Sequence, residues 1–129
     1  MTAKTILIVE DDLAFAQFLD DVLTGAGYET SVAKHGAAAF LDLEITHPDL
    51  ILVDVFMPII DGITFCRMVR AQRATRDTPI IMMSATADLH TTIPVQIAGF
   101  LAKPLDIDAL LHLIARIVEE PAGERPVSA

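Results

Sequence analysis

Residues 50–54 read Leu-Ile-Leu-Val-Asp, an unbroken apolar run that ends on a carboxylate. The run shows no alternation of polar and apolar positions, so a strand built from it is buried on both faces. That is the habit of a parallel sheet covered by helices. Ile6-Leu7-Ile8-Val9, Ile80-Ile81-Met82-Met83 and Phe100-Leu101-Ala102 repeat the pattern, and the more polar Glu29–Ala33 suits an edge strand.

Helical spacing fills the intervals. Phe15, Phe18, Leu19, Val22 and Leu23 recur three and four residues apart, with Gly25 or Gly27 placed to end the helix. Ala37–Glu44 offers Phe40, Leu41 and Leu43 before His47-Pro48, and Ile63–Gln72 offers Phe65, Cys66 and Val69. Ile107, Leu110, Leu111, Ile114 and Val118 form a last amphipathic helix, with Asp106 as its N-cap. The alternation predicts an α/β fold, an open doubly wound five-stranded parallel sheet. One interval breaks the rhythm. Residues 88–96 carry Thr91, Thr92, Ile93, Pro94 and Val95, so the fourth helix is expected to be short or irregular.

Composition narrows the function. A chain of 129 residues suits one domain, and a 53% hydrophobic content suits a packed core. A net charge of −9 argues against nucleic-acid binding, and Cys66, the one cysteine, allows no internal disulfide and no cysteine-rich zinc site. No apolar stretch approaches the roughly 20 residues of a membrane helix, nor does the start of the chain hold a signal core. A soluble, cytoplasmic protein is expected. The four histidines are scattered and suggest no shared site.

Chemistry in an open α/β sheet gathers at the carboxyl ends of its strands. Here Glu10, Asp11 and Asp12 follow the first expected strand and Asp54 follows the third. Ser84 ends the fourth, and Lys103, before Pro104, ends the fifth. Each has an ordinary alternative: an acidic helix cap for 10–12, a turn residue for Asp54, a loop hydroxyl for Ser84, a solvated lysine for Lys103. Their convergence on one edge favours a site. Crowded carboxylates repel unless a cation joins them, and oxygen donors suit a hard divalent ion. Asp12 is the surplus carboxylate and is expected to cap the first helix.

Val-Glu-Asp-Asp at 9–12, Asp54-Val-Phe-Met-Pro58, Asp61-Gly62, Ser84-Ala85 and Lys103-Pro104 together resemble the receiver domain of two-component response regulators. The 30-residue separation of Asp54 and Ser84 is also the family's. The resemblance implies a flavodoxin-like receiver fold, assigned to 1–120, while 121–129 lacks periodicity and is expected to be a disordered tail. It implies a phosphorylation switch rather than an enzyme. Asp54 would accept a phosphoryl group from a phosphohistidine on a sensor histidine kinase or phosphotransfer protein. Mg2+ would be held by Asp11 and Asp54, by Glu10 through water, and by the Phe56 backbone carbonyl. Ser84 and Lys103 would bind the phosphoryl oxygens, and Phe100 would swing inward as the switch aromatic, with simple core packing as its alternative. The Lys103-Pro104 peptide is one the family holds cis.

Two features depart from the family pattern. Ser84 and Lys103 lie only 19 positions apart, which alters the usual output face. Phe56 stands two residues past Asp54, where polar groups are frequent, and predicts slow loss of the phosphoryl group. The same Phe56 excludes a haloacid dehalogenase-type phosphatase, which needs an aspartate there. No output domain is expected after residue 120, so the effect is expected to pass through contacts with a downstream protein. A receiver-like scaffold that binds partners independently of phosphorylation is the alternative.

Overall fold

The structure, a computed structural model, describes residues 3–86 and 93–119. Five strands, β1 (Thr5–Val9), β2 (Glu29–Ala33), β3 (Leu50–Asp54), β4 (Ile80–Ser84) and β5 (Gly99–Ala102), form one parallel sheet in the order β2-β1-β3-β4-β5. Four helices accompany them: α1 (Leu13–Gly25), α2 (Gly36–Thr46), α3 (Gly62–Ala71) and α4 (Ile107–Val118). No helix among the described residues is long and apolar enough to cross a membrane.

The apolar runs do what their lack of alternation implies. Ile6–Val9, Leu50–Val53 and Ile80–Met83 are completely buried, and each strand feeds both faces of the sheet. Leu7, Val9, Ile51, Val53 and Met82 pack beneath α2 and α3 with Ala39, Leu43, Phe65 and Val69. Ile6, Ile8, Leu50, Leu52 and Met83 pack beneath α1 and α4 with Leu19, Leu23, Leu110 and Ile114. Each of the larger side chains among these stabilises the fold by about 1.5–3 kcal/mol relative to exposure.

Helix ends follow their capping residues. Asp12, Asp61 and Asp106 accept backbone N–H groups of Phe15, Thr64 and Ala109, as N-caps do. His35 caps α2 in the same way through Nδ1. Gly27 (φ 101°) supplies the left-handed residue past the α1 terminus, while Gly25 stays inside the helix.

Apolar periodicity misplaced some side chains. In α2 the buried stripe is Gly36, Ala39 and Leu43, so Leu41 points the other way and is 68% exposed. In α1 the stripe runs through Ala16, Leu19 and Leu23, which leaves Phe18 exposed at its margin.

Part of the expected irregular element, residues 87–92, lies outside the described residues, as does the expected tail at 121–129. Residues 93–98 contain no helix. Ile93, Val95 and Ile97 pack against the cluster beneath α3, alternating with exposed Pro94, Gln96 and Ala98. Arg70 holds this segment, donating from Nε and Nη2 to the Gln96 carbonyl at 3.1 and 3.0 Å. Its Nη1 donates to the carbonyls of Arg76 and Thr78 at 2.9 and 2.7 Å.

Candidate functional site

The strand order reverses between β1 and β3, and an open sheet parts at such a switch point. Glu10 continues β1, with its N–H bonded to the Ala33 carbonyl at 3.1 Å, and Asp54 is the last residue of β3 rather than the one after it. Strand alternation sends positions 10 and 54 to the face of Ile8, Leu52 and α1. Both carboxylates are therefore buried, Glu10 at 0% and Asp54 at 7% exposure, while Asp11 is exposed at the rim.

Carboxylate oxygens of Glu10, Asp11 and Asp54 all lie within 4.8 Å of one another. Lys103, reaching in from beyond β5, places Nζ 2.9 Å from Glu10 Oε1 and 2.9 Å from Asp54 Oδ2. Among the described residues these are the only ion pairs. The other Asp54 oxygen, Oδ1, accepts the Phe56 N–H at 3.1 Å, and Glu10 Oε2 accepts the Asp12 N–H at 3.1 Å. The Lys103-Pro104 peptide is cis, as the resemblance implied.

Burial pushes the Glu10 carboxyl up, to about 7, against the pull of its Lys103 and Asp12 hydrogen bonds, and the Asp54 charge adds to the rise. Burial alone pulls Lys103 down, but its hydrogen bonds to Asp54 and Glu10 and their charges turn the net shift upward. One ammonium does not neutralise three crowded carboxylates. The donor set is all oxygen and electron-rich, which fits a hard divalent cation.

Ser84 and Phe100 stand on the other face of the sheet. Ser84 is fully buried, its Oγ accepts the Thr86 N–H at 3.0 Å, and its carbonyl accepts the Lys103 N–H at 2.8 Å. Phe100 pairs in register with Met82 and packs, half-buried, against the cluster beneath α3. The cluster at the switch point thus unites Glu10, Asp11, Asp54 and Lys103, with Ser84 one strand away and Phe100 behind it.

The β3–α3 loop frames the site. Phe56 is 57% exposed, and Ile59 adopts φ 69° while fully open to solvent. Gly62 passes so close to the end of β3 that a Cβ there would sit 2.8 Å from Val55 Cα, so glycine at position 62 is a steric requirement.

One neighbour escaped the sequence reading. Lys103 Nζ lies 4.5 Å from the centroid of the Phe15 ring, which also stacks on Phe18. In its spacing Phe15 reads only as part of the apolar stripe of α1. Its place one turn after Asp11 was the available signal, since that turn faces the strand ends.

The response regulator receiver domain family matches residues 6–115. The DNA-binding transcriptional regulator NtrC of Rhizobium meliloti is 33% identical over 94% of this chain, which spans 25% of that protein. Curated relatives matched here are about two to four times as long as the stretch they share with it. Among solved structures, a putative response regulator from Chloroflexus aurantiacus is similar at TM-score 0.86 and 35% identity, covering 92% of this chain and all of that one. The receiver domain of a sensor histidine kinase from Pseudomonas aeruginosa is similar at TM-score 0.85 and 28% identity, over 92% of this chain and 100% of its own. That protein holds a magnesium ion in its active site cleft.

Proposed function

This chain belongs to the response regulator receiver domain family, and from that premise we propose a phosphorylation-dependent switch with Asp54 as the phosphoacceptor. The observation that carries this reading is Asp54 itself. It is a buried carboxylate at the sheet's switch point, held by the Lys103 ammonium and the Phe56 N–H beside two further carboxylates.

In the proposed step an Asp54 oxygen bonds to phosphorus as the nitrogen–phosphorus bond of a phosphohistidine breaks, and the imidazole of a kinase or phosphotransfer protein leaves with its electron pair. Lys103 moves its ammonium from the Asp54 carboxylate to a phosphoryl oxygen, and the Ser84 hydroxyl donates to another. Phe100 follows Ser84 inward. Asp11 and Asp54 would hold Mg2+ directly, Glu10 through water, and the Phe56 carbonyl would complete the protein's share. Bound there, the ion would supply positive charge to the phosphoryl oxygens.

The effect would pass to a downstream protein through contacts outside the site. Incubation with magnesium and a small phosphodonor should add one phosphoryl group by mass, and Asp54→Asn should abolish it. Labelling that persists in Asp54→Asn would remove Asp54 from the role. A partner that binds wild type and Asp54→Asn equally would favour the phosphorylation-independent scaffold. The exposed Phe56 ring beside Asp54 supports slow hydrolysis, so Phe56→Asn should shorten the lifetime of the phosphorylated form, and an unchanged lifetime would sink the shielding idea.

A further inference from the structure

We propose that Phe15 is a positioning residue for the switch, its ring face holding the Lys103 ammonium where the phosphoryl oxygens arrive; the inference rests on the Asp54 reading above. Lysine is a point charge on a flexible stem, and two carboxylates alone fix it only from their own side. The ring closes a third side, with Nζ 4.5 Å from its centroid, inside the roughly 6 Å over which an aromatic face attracts a cation.

The ring is itself held in place. The Phe15 N–H bonds to Asp12 Oδ1 at 3.2 Å, the Asp12 N–H bonds to Glu10 Oε2 at 3.1 Å, and Glu10 Oε1 meets Lys103 Nζ at 2.9 Å. Contacts therefore run from Glu10 through Asp12 and Phe15 to Lys103 and back to Glu10. On its outer side the ring stacks on Phe18, centroids 6.2 Å apart and planes 25° apart. The acidic N-cap of α1 thus sets the height of the ring that faces the ammonium.

The chemistry gives this contact a distinct task. Asp54 and Glu10 are partners whose availability to Lys103 changes once a phosphoryl group and a cation enter. An aromatic face carries no net charge and accepts no proton, so its attraction persists through the reaction. It restrains Lys103 without competing for the phosphoryl oxygens.

Packing of α1 onto its core cluster is the rival role, and substitutions separate the two. Phe15→Leu keeps an apolar side chain and loses the ring face; Phe15→Tyr keeps both. With saturating magnesium and a small phosphodonor, Phe15→Leu should label at Asp54 about 3- to 10-fold more slowly, the loss expected for one partly shielded cation–π contact. Phe15→Tyr should restore the rate to within about twofold. The Lys103 side-chain protons nearest Nζ should resonate upfield in the wild type through the ring current, and return to ordinary positions in Phe15→Leu. Equal labelling rates in wild type and Phe15→Leu would overturn the proposal and leave the switch reading intact. A wild-type chain that takes no phosphoryl group would overturn both.

Discussion

The two edges of the sheet use the same residue types to opposite ends. At the amino edge three carboxylates are each met by a hydroxyl. Asp49 accepts the Thr5 N–H and hydroxyl at 2.9 and 3.2 Å, Glu119 accepts the Tyr28 hydroxyl, and Asp20 accepts the Thr30 hydroxyl. At the carboxyl edge three carboxylates crowd together, and one ammonium pairs with two of them, Glu10 and Asp54. An acidic residue is therefore not marked as functional by its type or its place after a strand. What marks it is an excess of acceptors over donors at a point where the sheet parts.

The largest expected effect tests how rigid the carboxyl edge is. A Cβ at position 62 would press on the Asp54 carbonyl and the Val55 backbone, which cannot swing aside as a side chain could. Gly62→Ala should cost about 3 kcal/mol in urea denaturation, at the upper end for overpacking. A loss below about 1 kcal/mol would show that the end of β3 yields, and the contrast between edges would weaken.

The amino edge is tested by pH. Burial raises the Tyr28 hydroxyl to about 12, with the hydrogen bond and charge of Glu119 adding to the rise. A raised acid keeps its proton longer in the native state than in the unfolded chain. Its stabilisation is complete below about pH 10 and is lost as pH rises through about 12. The stability difference between wild type and Tyr28→Phe should stay level below pH 10 and then fall by about 2 kcal/mol. A level difference throughout would mean that the hydroxyl is not dedicated to Glu119. Tyr28 is the sole tyrosine and the chain has no tryptophan, so ultraviolet absorbance reads its ionisation directly.

The smallest effect compares two turns. Past α1, on the amino side, the left-handed position is filled by Gly27; in the β3–α3 loop a similar position is filled by the β-branched Ile59, at φ 69°. Ile59 packs on nothing that would repay this conformation. Ile59→Asn should raise stability by about 0.5–1 kcal/mol, since asparagine tolerates the region. Unchanged or lowered stability would show that the loop relies on the isoleucine.

These tests draw on features of unequal visibility in the sequence. The buried strands, their order along the chain and the residues at their ends are local patterns, so Glu10, Asp11, Asp54, Ser84 and Lys103 could be assigned to one edge. Asp12 and Asp106 were legible as caps for the same reason. Contacts between distant residues were not. The place of Phe15 one turn after Asp11 puts it near the strand ends but does not name Lys103, 88 positions on, as its neighbour, and nothing near Arg70 announces the Gln96 carbonyl. The packing of 93–98 was hidden because Ile93, Val95 and Ile97 alternate in an extended segment rather than recurring at helical spacing. Phe18 and Leu41 show the converse error, since periodicity counts apolar residues without knowing how wide a stripe the sheet can cover.

The way β1 and β3 are shared between the two apolar clusters has a consequence for calorimetry. Alternate residues of Ile6–Val9 and Leu50–Val53 belong to opposite layers, so neither layer can melt and leave the other intact. Unfolding is then a single cooperative transition, and whatever binds at the ends of these two strands moves its midpoint as a whole. A melting curve becomes a sensor of the site, able to screen cations and phosphoryl analogues before any partner protein is known.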